Sequence, residues 1–254
     1  MPVAFARRLI GRQRSAAADR QLGIALAFVA GAINAGGFLA VRQYTSHMTG
    51  IVSSMADNVA LGAYDLVWVG VGGLLSFIAG AACSAVMVNL ARQRQLNSEY
   101  AFPLLLEALL LLCFGVLGAR LAAVQGLFVP LTVMLLCFIM GLQNAVITKL
   151  SGSAIRTTHI TGVVTDIGIE LGKLLYWNVG KRSALGKVHA DRQRLGGLVR
   201  LALAFFSGGV IGALGFQHLG YISTLPLAVL LVFLSGVPAT DDLLACVRRW
   251  RVRS

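Results

Sequence analysis

Two histidine-centred phrases carry most of the polar chemistry of this sequence: Thr-Ser-His-Met-Thr-Gly-Ile-Val at residues 45–52 and Thr-Thr-His-Ile-Thr-Gly-Val-Val at residues 157–164. In each, an imidazole (His47, His159) stands two residues before a threonine hydroxyl (Thr49, Thr161) and three before a glycine (Gly50, Gly162). Imidazole exchanges its proton near neutral pH, so the pair suits proton carriage or donation to a bound solute. The same rings equally suit a plainer task, tying loops to backbone carbonyls. Helical spacing extends both phrases: Gly50, Ser54 and Asn58 share one face, and Gly162, Asp166 and Glu170 share another. Asp166 and Glu170 suit the coupling of a cation or proton, or else an interfacial pairing in which Glu170 meets Lys173. Hydrolysis and metal catalysis lack their necessary groups: the chain contains no HExxH, no GxSxG and no paired carboxylates in an apolar run. We therefore expect no enzyme, no cofactor and no metal site. Cys83, Cys113, Cys137 and Cys246 are widely spaced and read as packing residues.

The elements that must position these groups are membrane helices. Of 254 residues, 57% are hydrophobic and 13% charged, with a mean hydropathy of +0.79, a composition that excludes an ordinary water-soluble domain. Crossing about 30 Å of hydrocarbon takes roughly 20 residues. Six runs qualify: 22–41, 66–90, 101–119, 127–148, 197–217 and 220–238. They are continuous and rich in Leu, Ala and Gly, unlike the alternating strands of a membrane barrel. The first is too long for a signal-peptide core.

The net charge of +12 does not indicate nucleic acid, because no recognition module accompanies it. It follows the positive-inside rule. With a cytoplasmic N-terminus and six crossings, all but two of the 22 lysines and arginines, Arg42 and Arg120, face the cytoplasm. Eight crossings would instead turn Arg42, Arg92, Arg94, Lys149 and Arg156 outward, so six is the expectation, with both termini cytoplasmic in the bacterial inner membrane.

The phrases belong to a longer internal repeat. Gly-Ala-Ile-Asn-Ala at 31–35 matches Gly-Leu-Gln-Asn-Ala at 141–145, and Phe-Ile-Ala-Gly at 77–80 matches Phe-Phe-Ser-Gly at 205–208. An odd number of crossings between copies makes them inverted. The expected fold is all-α and polytopic, with two inverted three-helix repeats (about 22–120 and 127–238), each with a re-entrant or interrupted helix after its first span. Thr45, Ser46, Thr157 and Thr158 are the expected helix-start hydroxyls. Two such helices meeting near the membrane centre beside Asn34 and Asn144 would form a substrate or ion site. A basic cytoplasmic segment, 1–21, precedes this single membrane domain, and a second, 239–254, follows it; both suit anionic lipid. Glu107 is a lone carboxylate in a spanning run, a functional candidate by position.

With Gly-Phe-Leu-Ala closing its first run, Ser-His-Met-Thr-Gly after it, and Gly-Leu-Gln-Asn-Ala with Thr-Thr-His-Ile-Thr-Gly in the second half, the chain resembles the YoaK family of small bacterial inner-membrane proteins, a domain of unknown function. The likeness runs over residues 22–238 and implies about six membrane helices, with no established activity. Members of that family commonly carry an acidic residue where Asn34 stands, and an asparagine where Ile51 stands. The resemblance therefore shifts weight to the second-half residues Asn144, Thr161, Gly162 and Asp166. The expected function is a small secondary transporter or permease, proton-coupled, for an unidentified small solute, assembled as a homodimer in the lipid bilayer. The alternative is a membrane scaffold or regulator in which the phrases only pack.

Overall fold

The computed structural model describes residues 15–96, 98–121, 125–150, 160–176 and 189–251. Within them the chain forms long helices α1 (Ala16–Val41), α3 (Tyr64–Gln93), α4 (Ala101–Leu121), α5 (Gln125–Leu150), α7 (Arg192–Leu219) and α8 (Thr224–Arg251), and short helices α2 (Met48–Ala60) and α6 (Ile160–Leu175). A 3-10 turn, Gly220–Ser223, joins α7 to α8. No strand occurs among the described residues.

Five of the six apolar runs fall within one long helix each, and the sixth, 220–238, starts in the 3-10 turn and continues into α8. Side chains and backbone geometry set the boundaries. Ser15 opens α1 by accepting from the Ala18 amide, and Arg42 closes it in a left-handed conformation (φ 57°) with its amide on the Phe38 carbonyl. Asp191 opens α7 by accepting from the Gln193 and Arg194 amides. Gly220, at φ 61°, ends it, a conformation that costs glycine little. Beyond residue 239 the chain stays helical, so the basic C-terminus continues α8 to Arg251.

Packing pairs helices across the sequence: α1 against α7, α3 against α5, α4 against α8, with α1 also touching α5. Glycines permit the closest approaches. A Cβ at Gly31 would run into the Phe205 carbonyl, and one at Gly208 into the Phe28 carbonyl. The α3–α5 pair has the same construction: Gly141 faces the Phe77 carbonyl and Gly80 the Phe138 carbonyl. Small residues allow backbones this close, the usual device for packing helices in lipid. The core between pairs holds Leu26, Ala30, Ile33, Leu136, Met140 and Ile147.

The outer surface is apolar as well. Trp68, Leu203, Phe206 and Ile211 are all exposed, Trp68 by 71%. Water would not support so large an apolar surface; a bilayer does. Ala17–Val41, Tyr64–Gln93, Pro130–Leu150 and the two-helix stretch Arg192–Asp242 are each long and apolar enough to cross one, while Ala101–Val116 is a shorter apolar helix. The molecule is a membrane protein.

Candidate functional site

Asn34 organises the first phrase. It lies about two turns before the end of α1, yet its Oδ1 accepts from both the Ser46 amide (3.3 Å) and the Ser46 hydroxyl (2.8 Å). The chain therefore leaves α1, doubles back to the level of Asn34, and only then starts α2. α2 packs on α3, with Met55 against Gly70.

The expected role of Thr45 and Ser46 as helix-start hydroxyls is not realised. His47 is the N-cap residue of α2 and makes no side-chain cap. Ser46 is taken by Asn34, and the hydroxyl oxygen of buried Thr45 has no hydrogen-bond partner among the described residues. The His47 ring instead lies over Gly50, where a Cβ would crowd its Nδ1. That close approach, to its own imidazole rather than to a neighbouring helix, is what the glycine permits. Thr49 and Ser54 are exposed and Asn58 half-buried, and Asn58 donates to the Ser54 hydroxyl along the predicted face (3.4 Å).

In the second half, Asn144 is buried on α5 and donates to the Met140 carbonyl (2.7 Å). His159, with Thr157 and Thr158, lies outside the described residues. Thr161 and Gly162 are exposed, and no described atom lies within 4 Å of a Cβ added at Gly162. α6 packs on α7, where Val163 joins Leu198 and Leu201. Each short helix thus rests on the long helix that follows it.

The two acids of α6 gather at the start of α7. Asp166 pairs with Arg194 at 3.0 Å. Buried Glu170 takes Lys173 at 2.8 Å and the Asp191 amide at 2.9 Å, with Arg194 at 3.9 Å. The Lys173 pairing was legible from its three-residue spacing; Asp191 and Arg194 were not, because they stand more than twenty residues further along the chain. Beside them, between the first turns of α1 and α7, lies a cavity of about 500 Å³ whose lining includes Arg20, Gln21, Asp191, Arg194 and Arg200. The described residues contain no cluster of three metal-ligating side chains.

Lys173, then the Asp191 amide, hold the Glu170 carboxyl below its ordinary value of 4.5. A carboxyl depressed by folding adds stability above its unfolded value and loses it as pH falls through the folded one. Glu170→Gln is therefore expected to melt several degrees lower than the parent at neutral pH, with the gap closing as pH drops below 4.5. Thermal melts across pH check this; a gap of constant size would remove the charge from the account.

Residues 22–237 match the family described as "Protein of unknown function (DUF1275)". Over 161 residues the chain is 26% identical to the UPF0700 transmembrane protein YoaK of Bacillus subtilis (strain 168), covering 63% of this chain and 70% of that protein. No solved structure matches it.

Proposed function

We propose, from the premise that this chain belongs to the DUF1275 family of proteins of unknown function, that it is a small secondary transporter, proton-coupled, for an unidentified small solute. In this reading α1, α3, α4, α5, α7 and α8 each cross the cell membrane once, with both termini cytoplasmic and two copies forming a homodimer. Two crossings, α3 and α4, lie between α1 and α5, so α1 and α5 run in opposite directions and the halves are inverted repeats. It is not an enzyme.

One observation carries the reading. The contact of Gly31 with the Phe205 carbonyl recurs as Gly141 with Phe77, and that of Gly208 with Phe28 recurs as Gly80 with Phe138. In all four places the glycine follows a phenylalanine by three residues. Each half supplies one helix to each crossing, an exchange that suits two units rocking against each other, as alternating access requires. Asn34 drawing Ser46 back into the bundle supports an interrupted helix after α1. The site would take Asn34, His47, Thr49 and Gly50 from the first half, and Asn144, His159, Thr161, Gly162, Asp166 and Glu170 from the second. The arginine-lined cavity would be its cytoplasmic vestibule.

Purified protein in proteoliposomes, screened against a broad solute library, tests this. We expect some solute both to raise the melting temperature and to drive proton movement reported by an internal pH dye, with the proton movement abolished in Asp166→Asn. Folded protein showing neither response across the library would favour a scaffold or regulator.

A further inference from the structure

Glu107 lies about a turn and a half into α4, inside the apolar stretch Ala101–Val116. Its side chain is wholly enclosed, and neither carboxyl oxygen has a hydrogen-bond partner among the described residues. Other enclosed acids here are served: Asp242 accepts from the Ser98 amide and hydroxyl, and Glu170 from Lys173 and the Asp191 amide.

Among the described residues no countercharge is directed at it. α4 packs against α8, α5, α3 and the 3-10 turn. On α8, Asp242 is held by Ser98 and Asp241 is its neighbour. On α5, Lys149 donates to the Ala85 carbonyl and Asn89, and the Cys137 thiol lies against Gly73. On α3, Arg92 is bound to Glu99 and Tyr100, Cys83 faces Met87 and Asp65 stands in the first turn. Tyr221 of the 3-10 turn packs on Gly118, toward the other end of α4.

Packing alone does not call for an acid. α4 and α8 begin alike, with Pro103 and Pro226 each third in its helix, and four residues on stand Glu107 in one and Leu230 in the other. Leucine serves that place in α8. An unpaired carboxylate sealed from water is prohibitively costly, whereas the neutral acid is tolerable. Glu107 shares a helical face with Leu104 and Leu111, and the Leu111 carbonyl accepts from Thr224 at the start of α8. That face lies along the seam between the halves.

We propose that Glu107 is an intramembrane proton-binding site, protonated while enclosed and exchanging its proton with water when the two halves shift. Its use as the coupling site rests on the transport reading; its protonation and exchange do not.

Infrared spectroscopy of the full chain in lipid nanodiscs tests it. At neutral pH the parent is expected to show a protonated-carboxyl C=O band that is missing from Glu107→Gln and that shifts within minutes of transfer to D2O. Identical spectra for parent and variant would overturn the proposal, as would a band unmoved after days in D2O, the mark of a sealed packing acid. Should Glu107→Gln fail to fold, dicyclohexylcarbodiimide, which adds to protonated carboxyls in apolar surroundings, decides on the parent in its membrane. Modification of Glu107 that declines at high pH supports the site; an unmodified Glu107 at every pH overturns it. Neither arm measures transport, so this site and the transport reading fail separately.

Discussion

Gly31→Ala and Gly141→Ala are each expected to cost roughly 1–3 kcal/mol or more and to leave little folded protein in detergent. One added methyl has this effect because the obstacle is backbone. At Gly31 the new Cβ meets the carbonyl of Phe205, and at Gly141 that of Phe77. A side chain could rotate away, but a carbonyl cannot move without carrying its helix with it. Gly23→Ala is the control: no described atom lies within 4 Å of its Cβ, so alanine's better helix propensity, worth up to about 1 kcal/mol, leaves stability equal or raised. Gly209→Ala is intermediate, because its nearest neighbour is the Ala35 methyl at 3.6 Å. The two principal variants should also lose similar amounts, since both sit in the same kind of crossing. Thermal melts and monodisperse yield measure all four; a Gly31→Ala protein that melts with the parent would mean α1 and α7 are not in backbone contact.

What the sequence carries of these crossings is a common spacing. Phe28–Gly31, Phe77–Gly80, Phe138–Gly141 and Phe205–Gly208 all read as Phe-x-x-Gly, and the long helices containing them announce themselves as apolar runs. Spacing could not show that the helix of one half pairs with a helix of the other, because periodicity describes an element and not its partner. The same limit hid most polar contacts. Ser46 looked like a helix-start residue until Asn34, twelve positions back, supplied a better acceptor. Glu170 had a visible partner in Lys173, while its bond to the Asp191 amide spans 21 positions. The two phrases read alike, yet α2 rests on α3 and α6 on α7. Only α6 brings acids to its contact, so sequence identity between phrases did not imply identical surroundings.

Asp242 extends that point, since in sequence it reads as the start of a basic interfacial tail. In the fold it is buried, accepting from the amide (2.9 Å) and the hydroxyl of Ser98. The Pro238 carbonyl lies 3.1 Å from the same hydroxyl, so its single proton is shared between the two acceptors. Ser98 belongs to the connection from α3 to α4, so this cluster ties a turn of the first half to a helix of the second. Asp242→Ala is expected to lose about 1.5–3 kcal/mol, because a charged acceptor disappears and a buried N–H is left without one. Asp242→Asn keeps an acceptor for that N–H and should recover most of the loss. Ser98→Ala removes the hydroxyl but leaves the amide bond intact, and should fall between them. Melting temperatures in the order parent, Asp242→Asn, Ser98→Ala, Asp242→Ala would establish the amide as the main contact; Asn and Ala equally harmful at 242 would mean that the negative charge itself, rather than its acceptor geometry, holds the halves together. In that case salt should weaken the parent as well, and the joint between the halves would be electrostatic at this end and steric at the glycine crossings.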